Sequence, residues 1–261
     1  MTAAPEQPTE RAIRLVDLYP EVMDVYADRG NVIALRARCA RVGVGCEVTA
    51  VGLGDALPSD ADLVLIGGGQ DREQRRIVGD LAAHGPMLRA WAEAETAMLA
   101  VCGGFQLFGN SYRTSAGEQL PGISIFDVVT VAPGPDWERC IGDVLAQPSL
   151  DGLGEVVGFE NHAGRTYLGP AARPFAQVLR GWGNNGDDGS EGAVYRQAVG
   201  TYLHGPLLPK NVELMDRLLL AALRHRYGED TTLEPVEDQY SERAHRSAVA
   251  VAKRRGRPNP R

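Results

Sequence analysis

The feature that most limits the fold of this chain is a pair of short apolar runs that end in tight turns. They are Ala61-Asp62-Leu63-Val64-Leu65-Ile66 before Gly67-Gly68-Gly69, and Ala97-Met98-Leu99-Ala100-Val101 before Cys102-Gly103-Gly104. A strand with one wet face alternates apolar and polar residues; these runs do not, and read as strands of a parallel sheet buried on both faces. Helical spacing follows the first run, over Glu73–His84 and again over Pro86–Glu95. Upstream, Ile13–Leu18 reads as a strand, Val22–Val42 as a helix broken by Gly30, and Cys46–Leu53 as a second strand. Strand alternating with helix predicts an α/β fold around a central, mostly parallel sheet flanked by helices.

The stretch 120–205 differs. It is glycine-rich and carries short β-like pieces at Ser124–Val131, Cys140–Val144, Glu155–Phe159, Ala176–Arg180, Gly192–Arg196 and Val199–Tyr202. These are expected to be antiparallel strands and hairpins added to the sheet. Val212, Met215, Leu218, Leu219 and Leu223 then mark an amphipathic helix over 210–227. The Pro/Glu/Thr-rich start is expected to be disordered. The end is polar and basic, closing on Lys253-Arg254-Arg255-Gly256-Arg257-Pro258, and is expected to be a solvated, disordered tail. The expected organisation is a disordered 1–11, one domain over 12–227 and an extension over 228–261.

Bulk properties exclude several classes. A net charge of −7 argues against a general nucleic-acid or membrane-surface binder. None of the four cysteines (Cys39, Cys46, Cys102, Cys140) belongs to a CxxC pair, which removes the usual zinc-ribbon and thioredoxin patterns. The N-terminus lacks a basic start followed by an apolar core, and no run is long and apolar enough to span a bilayer. A cytoplasmic protein with reduced thiols is the expectation.

The chemistry concentrates at Leu99-Ala100-Val101-Cys102-Gly103-Gly104-Phe105-Gln106. A cysteine between a buried strand and a helix start sits on a tight turn, its sulfur held clear of the sheet. The helix start supplies partial positive charge that favours the thiolate, and the Gly103 N–H can point at a developing oxyanion. The competing reading is an inert buried cysteine; the apolar run before Cys102 and the glycines after it weigh against that. A nucleophilic cysteine needs a base. Of the five histidines, His204 in Gly200-Thr201-Tyr202-Leu203-His204-Gly205-Pro206 directly follows a strand, at the edge where open α/β sheets gather their sites. His162, in Gly158-Phe159-Glu160-Asn161-His162-Ala163-Gly164, is the runner-up, either as a base or as a loop residue ordering a turn.

The Val-Cys-Gly-Gly-Phe-Gln and Thr-Tyr-Leu-His-Gly-Pro stretches and the triple-glycine turn resemble the class I, Triad-type glutamine amidotransferases, in their cobyric acid synthase-like branch. With Ile66-Gly67-Gly68-Gly69-Gln70-Asp71, Arg139-Cys140-Ile141-Gly142-Asp143 and Gly158–Thr166, the chain resembles the glutaminase subunits of lipid II isoglutaminyl synthases, over about residues 12–227. The resemblance implies a flavodoxin-like class I fold in which Cys102 attacks the side-chain amide of L-glutamine. His204 would be the acid and base, with Gly103 and one of Gly67, Gly68 and Gly69 as oxyanion donors. It also implies a heterodimer with a MurT-like Mur ligase synthetase that takes the ammonia. This chain is expected to hold no cofactor, ATP and Mg belonging to the partner, because it has no G-x-x-x-x-G-K-[ST]. Many class I members carry a Glu two residues after the histidine; here Pro206 stands there. The site is therefore expected to be a Cys–His dyad, or to recruit a carboxylate from elsewhere, Glu160 being one guess, or a backbone carbonyl. Arg139 is the candidate clamp for the substrate carboxylate, against the alternative of a surface arginine; Gln106 is a candidate substrate or supporting contact. Three other readings stay open: cobyric acid-type amidation, a redox-sensing relative without activity, and a cysteine peptidase.

Overall fold

A computed structural model of the chain describes residues 11–134, 137–234, 236 and 238–258. The disorder expected for the first ten residues therefore lies outside the described residues. Strands β1 (Ala12–Leu18), β2 (Gly45–Val51), β3 (Leu63–Ile66) and β4 (Ala97–Val101) pair in parallel in the spatial order β2-β1-β3-β4. Helix α1 (Gly30–Arg41) joins β1 to β2, and α2 (Asp71–Glu93) joins β3 to β4. All four residues of β3 and all five of β4 are buried, as continuous apolar runs require.

Two helical expectations need correction. The predicted pair around Pro86 is one continuous helix. Its apolar stripe, Ile77, Leu81, Leu88 and Trp91, runs unbroken past the proline, and burying that stripe outweighs one lost backbone bond. Conversely, α1 starts only at Gly30, because Tyr26 and Ala27 take left-handed backbone angles and cannot belong to a helix. Val25 donates to the Gly68 carbonyl at 3.2 Å, which draws this segment over the end of β3 instead.

Helix α3 (Gly103–Phe108) leads into β5 (Ser111–Arg113), β6 (Gln119–Pro121), β7 (Val128–Val131), β8 (Cys140–Pro148), β9 (Val156–His162), β10 (Arg165–Leu168), β11 (Ala176–Arg180) and β12 (Ser190–Glu191). These form two further four-stranded sheets, β10-β7-β5-β6 and β12-β11-β8-β9, so most of the predicted pieces do not extend the central sheet. The pairing is also not purely antiparallel, since β5 runs parallel to β7. Only β13 (Ala193–Tyr195) and β14 (Ala198–Thr201) join the centre, β14 parallel to β4 and β13 antiparallel at the edge. Helix α4 (Val212–Tyr227) buries Leu214, Met215, Leu218, Leu219 and Leu223.

The C-terminal segment is a helix, α5 (Gln239–Arg255), rather than a solvated coil. Ala248, Val249 and Ala252 make a narrow apolar stripe among its charges and pack with Leu145, Val157 and Leu179. The Asp238 carboxylate caps it by accepting from the Ser241 N–H at 3.1 Å.

Registers fix the site. Ile66 lies opposite Ala100, and Val101 opposite Thr201, so the chains leaving β3, β4 and β14 emerge side by side. Gly200 lets this happen: a Cβ there would lie 2.1 Å from Cδ2 of Phe105 and 2.9 Å from Cε2 of Phe126. Gly200→Ala is expected to destabilise the fold by about 1–3 kcal/mol, the cost of overpacking a core. Urea unfolding checks it, and a midpoint equal to wild type would show that the two rings yield freely.

Candidate functional site

Cys102 directly follows β4 with φ 49° and ψ −103°, a left-handed strained conformation costing of order 1–3 kcal/mol. Its N–H donates to the Thr201 carbonyl at 2.8 Å, and its carbonyl accepts from the Gln106 N–H at 2.9 Å. Two glycines permit this pose. A Cβ on Gly103 would lie 2.6 Å from the Gly69 carbonyl oxygen and 2.7 Å from the Gly69 nitrogen. One on Gly104 would lie 2.9 Å from the Gly67 oxygen. The turns after β3 and β4 touch backbone to backbone, which only glycine allows.

His204 follows β14 and forms an antiparallel bridge with Phe159 of β9, donating its N–H to the Phe159 carbonyl at 2.8 Å. Its ring is fully buried, with Tyr26 edge-on at 5.1 Å. Nδ1 lies 3.1 Å from both carboxylate oxygens of Asp28, and Nε2 has no hydrogen-bond partner among the described residues. Burial pulls the His204 pKa down. The negative charge of a Cys102 thiolate and the Asp28 hydrogen bond outweigh burial and raise the pKa to about 10. The His204 ring is thus held cationic between two acids. Its nearness to Cys102 shows at Gly68, where a Cβ would lie 2.8 Å from His204 Cε1 and 3.3 Å from Cys102 Cβ.

Asp28 is the residue that sequence reasoning missed. It comes from the loop after β1, is 4% exposed, and accepts the Gly68 N–H at 2.7 Å. That bond engages Gly68 in orienting Asp28, and of the three glycines after β3 Gly69 lines the cavity with Cys102, next to Gly103. Neither the Gly69 nor the Gly103 N–H has an acceptor among the described residues. The available signal was an acid at the C-terminal edge of a strand, ahead of a helix broken by glycine, but the apolar spacing of 22–42 concealed it.

Glu160, the guessed partner of His204, serves elsewhere. Its carboxylate accepts the N–H groups of Trp182 at 2.6 Å and Gly183 at 2.9 Å, and lies 3.6 Å from Nε2 of His162. Burial pushes its carboxyl up to about 8. His162 stacks on Tyr202 at 3.6 Å with Nδ1 on the Gly164 carbonyl at 2.7 Å, and burial lowers its pKa to about 3. A neutral, turn-bound ring matches the ordering role rather than a titrating base. Gln106 is likewise committed: its carbonyl accepts from Gln74 at 2.8 Å and its amide donates to the Tyr202 hydroxyl at 3.1 Å. It is floor of the site rather than a free substrate contact.

Arg139 lines the same cavity of about 600 Å³ as Cys102, Gly69, Asn161 and His162. The Asn161 side-chain carbonyl accepts from Nε at 3.0 Å and from Nη2 at 2.9 Å. The guanidinium is therefore held in the wall of the cavity, and Nη1 has no hydrogen-bond partner among the described residues.

Residues 14–212 match the CobB/CobQ-like glutamine amidotransferase domain. The chain is 35% identical over 231 residues to the "Lipid II isoglutaminyl synthase (glutamine-hydrolyzing) subunit GatD" of Streptococcus pneumoniae, covering 88% of each chain. It is 38% identical over 205 residues to the subunit of the same name from Staphylococcus aureus, covering 78% of this chain and 82% of that one. The fold resembles a solved glutamine amidotransferase with a TM-score of 0.54 at 16% identity, over 79% of this chain and 98% of that one.

A raised histidine pKa carries a sign. The folded state holds the His204 proton more tightly than the unfolded chain, so the added stability is complete below pH about 6.5 and is lost as pH rises towards about 10. Asp28→Asn removes one source of that stability. Urea unfolding at steps across this window is expected to show a shallower decline for Asp28→Asn than for wild type. Parallel curves would mean that Asp28 does not charge the ring.

Proposed function

Because this chain belongs to the CobB/CobQ-like glutamine amidotransferase family, we propose that it hydrolyses L-glutamine at Cys102. The ammonia then goes to a separate Mur-ligase-like synthetase, which amidates the D-glutamate α-carboxylate of lipid II. The observation that carries the reading is His204, buried at the edge of the sheet with Asp28 on Nδ1 and Cys102 close to the ring. A sensor cysteine would need no such acid–base pair.

In this mechanism the Cys102 thiolate adds to the amide carbon of glutamine. The oxyanion that forms is met by the N–H groups of Gly69 and Gly103, each contributing about 3–4 kcal/mol by the standard of similar donors. His204, already protonated, gives its Nε2 proton to the leaving nitrogen as the C–N bond breaks, releasing ammonia and leaving a thioester. Now neutral, the ring takes a proton from water. The resulting hydroxide adds to the thioester, the C–S bond breaks, and glutamate leaves with the thiolate restored. Asp28 keeps the Nδ1 proton in place throughout, which fixes the tautomer that both steps need. Arg139 takes the α-carboxylate of glutamine through Nη1. ATP and Mg enter on the partner, which performs the amidation in the cytoplasm.

Ammonia made for another protein is lost unless that protein covers the exit, so a stable heterodimer follows. The contact falls on the outer face of 120–200, near the cavity mouth. Trp137 and Ile141 flank Arg139 in the chain and are 65% and 49% exposed, and Tyr26 adds another exposed ring beside the cavity. Aromatic groups gathered at a surface suit a protein interface.

Cys102→Ala and Cys102→Ser are expected to abolish ammonia release from glutamine with the fold intact. Residual turnover above a few per cent of wild type in either would overturn the assignment. Arg139→Ala should raise KM for glutamine far more than it lowers kcat, as loss of uniform substrate binding does. Co-expression with the synthetase, followed by size-exclusion chromatography, tests the complex. A monomeric elution alongside full glutamine-dependent amidation would defeat it.

A further inference from the structure

Residues 256–258 lie beyond the matched segment 14–212, yet they pack on the turn around Trp182. After α5, Gly256 packs so tightly that a Cβ would lie 2.8 Å from Cβ of Arg180 and 2.9 Å from the Asp143 carbonyl oxygen. The Arg257 carbonyl accepts the Gly181 N–H at 2.8 Å, and Pro258 forms a bridge with Arg180. The Arg257 guanidinium lies 3.7 Å above the Trp182 ring, in stacking contact.

That ring sits in the turn whose N–H groups grip Glu160. Gly181 and Gly183, at φ 114° and 64°, are both left-handed, which lets Trp182 and Gly183 present successive N–H groups to one carboxylate. Two routes then lead to Arg139. Asn161, beside Glu160 on β9, holds the guanidinium directly. On the other route, Arg165 lies 5.9 Å from the Trp182 ring and donates to the carbonyl of Glu138, the neighbour of Arg139. Neither route passes through Cys102 or Asp28.

We propose that Arg257 is a positioning residue for glutamine capture: the strap Gly256–Pro258 pins the Trp182 turn, and through it keeps Arg139 aimed at the carboxylate of the substrate. The inference rests on the glutaminase reading of Cys102. Its consequence is selective. Loosening the strap should weaken the grip on glutamine and leave the cysteine, its histidine and their chemistry in place.

Two labels separate these effects on the purified full-length chain. A chloroketone analogue of L-glutamine needs both the carboxylate clamp and the cysteine, whereas iodoacetamide needs only the cysteine. Arg257→Ala is expected to raise the half-saturating chloroketone concentration about five- to tenfold, with KM for glutamine rising in step and kcat within about twofold. The iodoacetamide rate should not change. Arg257→Lys, which keeps a cation over the Trp182 ring, should recover most of the loss. Wild-type chloroketone kinetics in Arg257→Ala would overturn the proposal. So would equal slowing of both labels, or a lysine variant no better than alanine, because either marks general loosening of the fold. Should wild type react with the chloroketone no faster than its simple alkylating power predicts, the glutaminase reading fails first and the proposal with it.

Discussion

Everything at this site depends on two turns meeting backbone to backbone, Gly67–Gly69 after β3 and Cys102–Gly104 after β4. The parallel register brings them level, and three glycine positions remove the Cβ atoms that would hold them apart. Cys102 takes its left-handed pose at that contact, and the N–H groups of Gly69 and Gly103 beside it have no acceptor among the described residues. The strain of order 1–3 kcal/mol at the cysteine persists because its own strand β4 and the neighbours β3 and β14, all fully buried, determine its position.

Burial then sets the charges. A protonated imidazole in the interior is expensive unless an anion compensates it, and His204 has Asp28 on one side and Cys102 on the other. The surrounding acids go the opposite way. Glu160 is pushed up to about 8 and Glu191 to about 7, each chiefly by burial and each opposed by hydrogen bonds. Glu191 accepts from the Thr201 hydroxyl at 2.6 Å and the Tyr202 N–H at 2.9 Å, and so shapes the turn that delivers His204. The histidine is charged by two specific partners, the Cys102 thiolate first and Asp28 after it, rather than by a generally acidic surrounding.

What could be read in advance followed the range of the interaction. The central strands were visible in Leu63–Ile66 and Ala97–Val101 because burial on both faces leaves a local pattern. Cys102 and His204 were visible as candidates because each follows a strand, and open α/β sheets gather function there. The grouping of 111–191 into two separate sheets was not, since β5, β6, β7, β10 and β12 have only two to four residues and all these strands pair according to distant partners. The ordered tail was hidden for a similar reason: three small apolar residues among arginines look like a solvated run until Leu145 and Val157 are known to face them.

The acid that orients the histidine shows how one spatial requirement can be met from an unrelated place in the chain. Pro206 stands two residues after the histidine, so the acid on the ring does not come from that position. The proline ring occupies the ground beside Gly30, where a Cβ would lie 2.6 Å from its Cγ. The Asn31 side-chain carbonyl accepts the Leu208 N–H at 2.8 Å, so the loop after His204 is locked to the start of α1 at two points. Close by in the chain, Asp28 lies against Nδ1, and Tyr26 and Ala27 take left-handed angles. The carboxylate arrives from about 180 residues earlier in the chain because the β1 and β14 loops share one edge of the sheet.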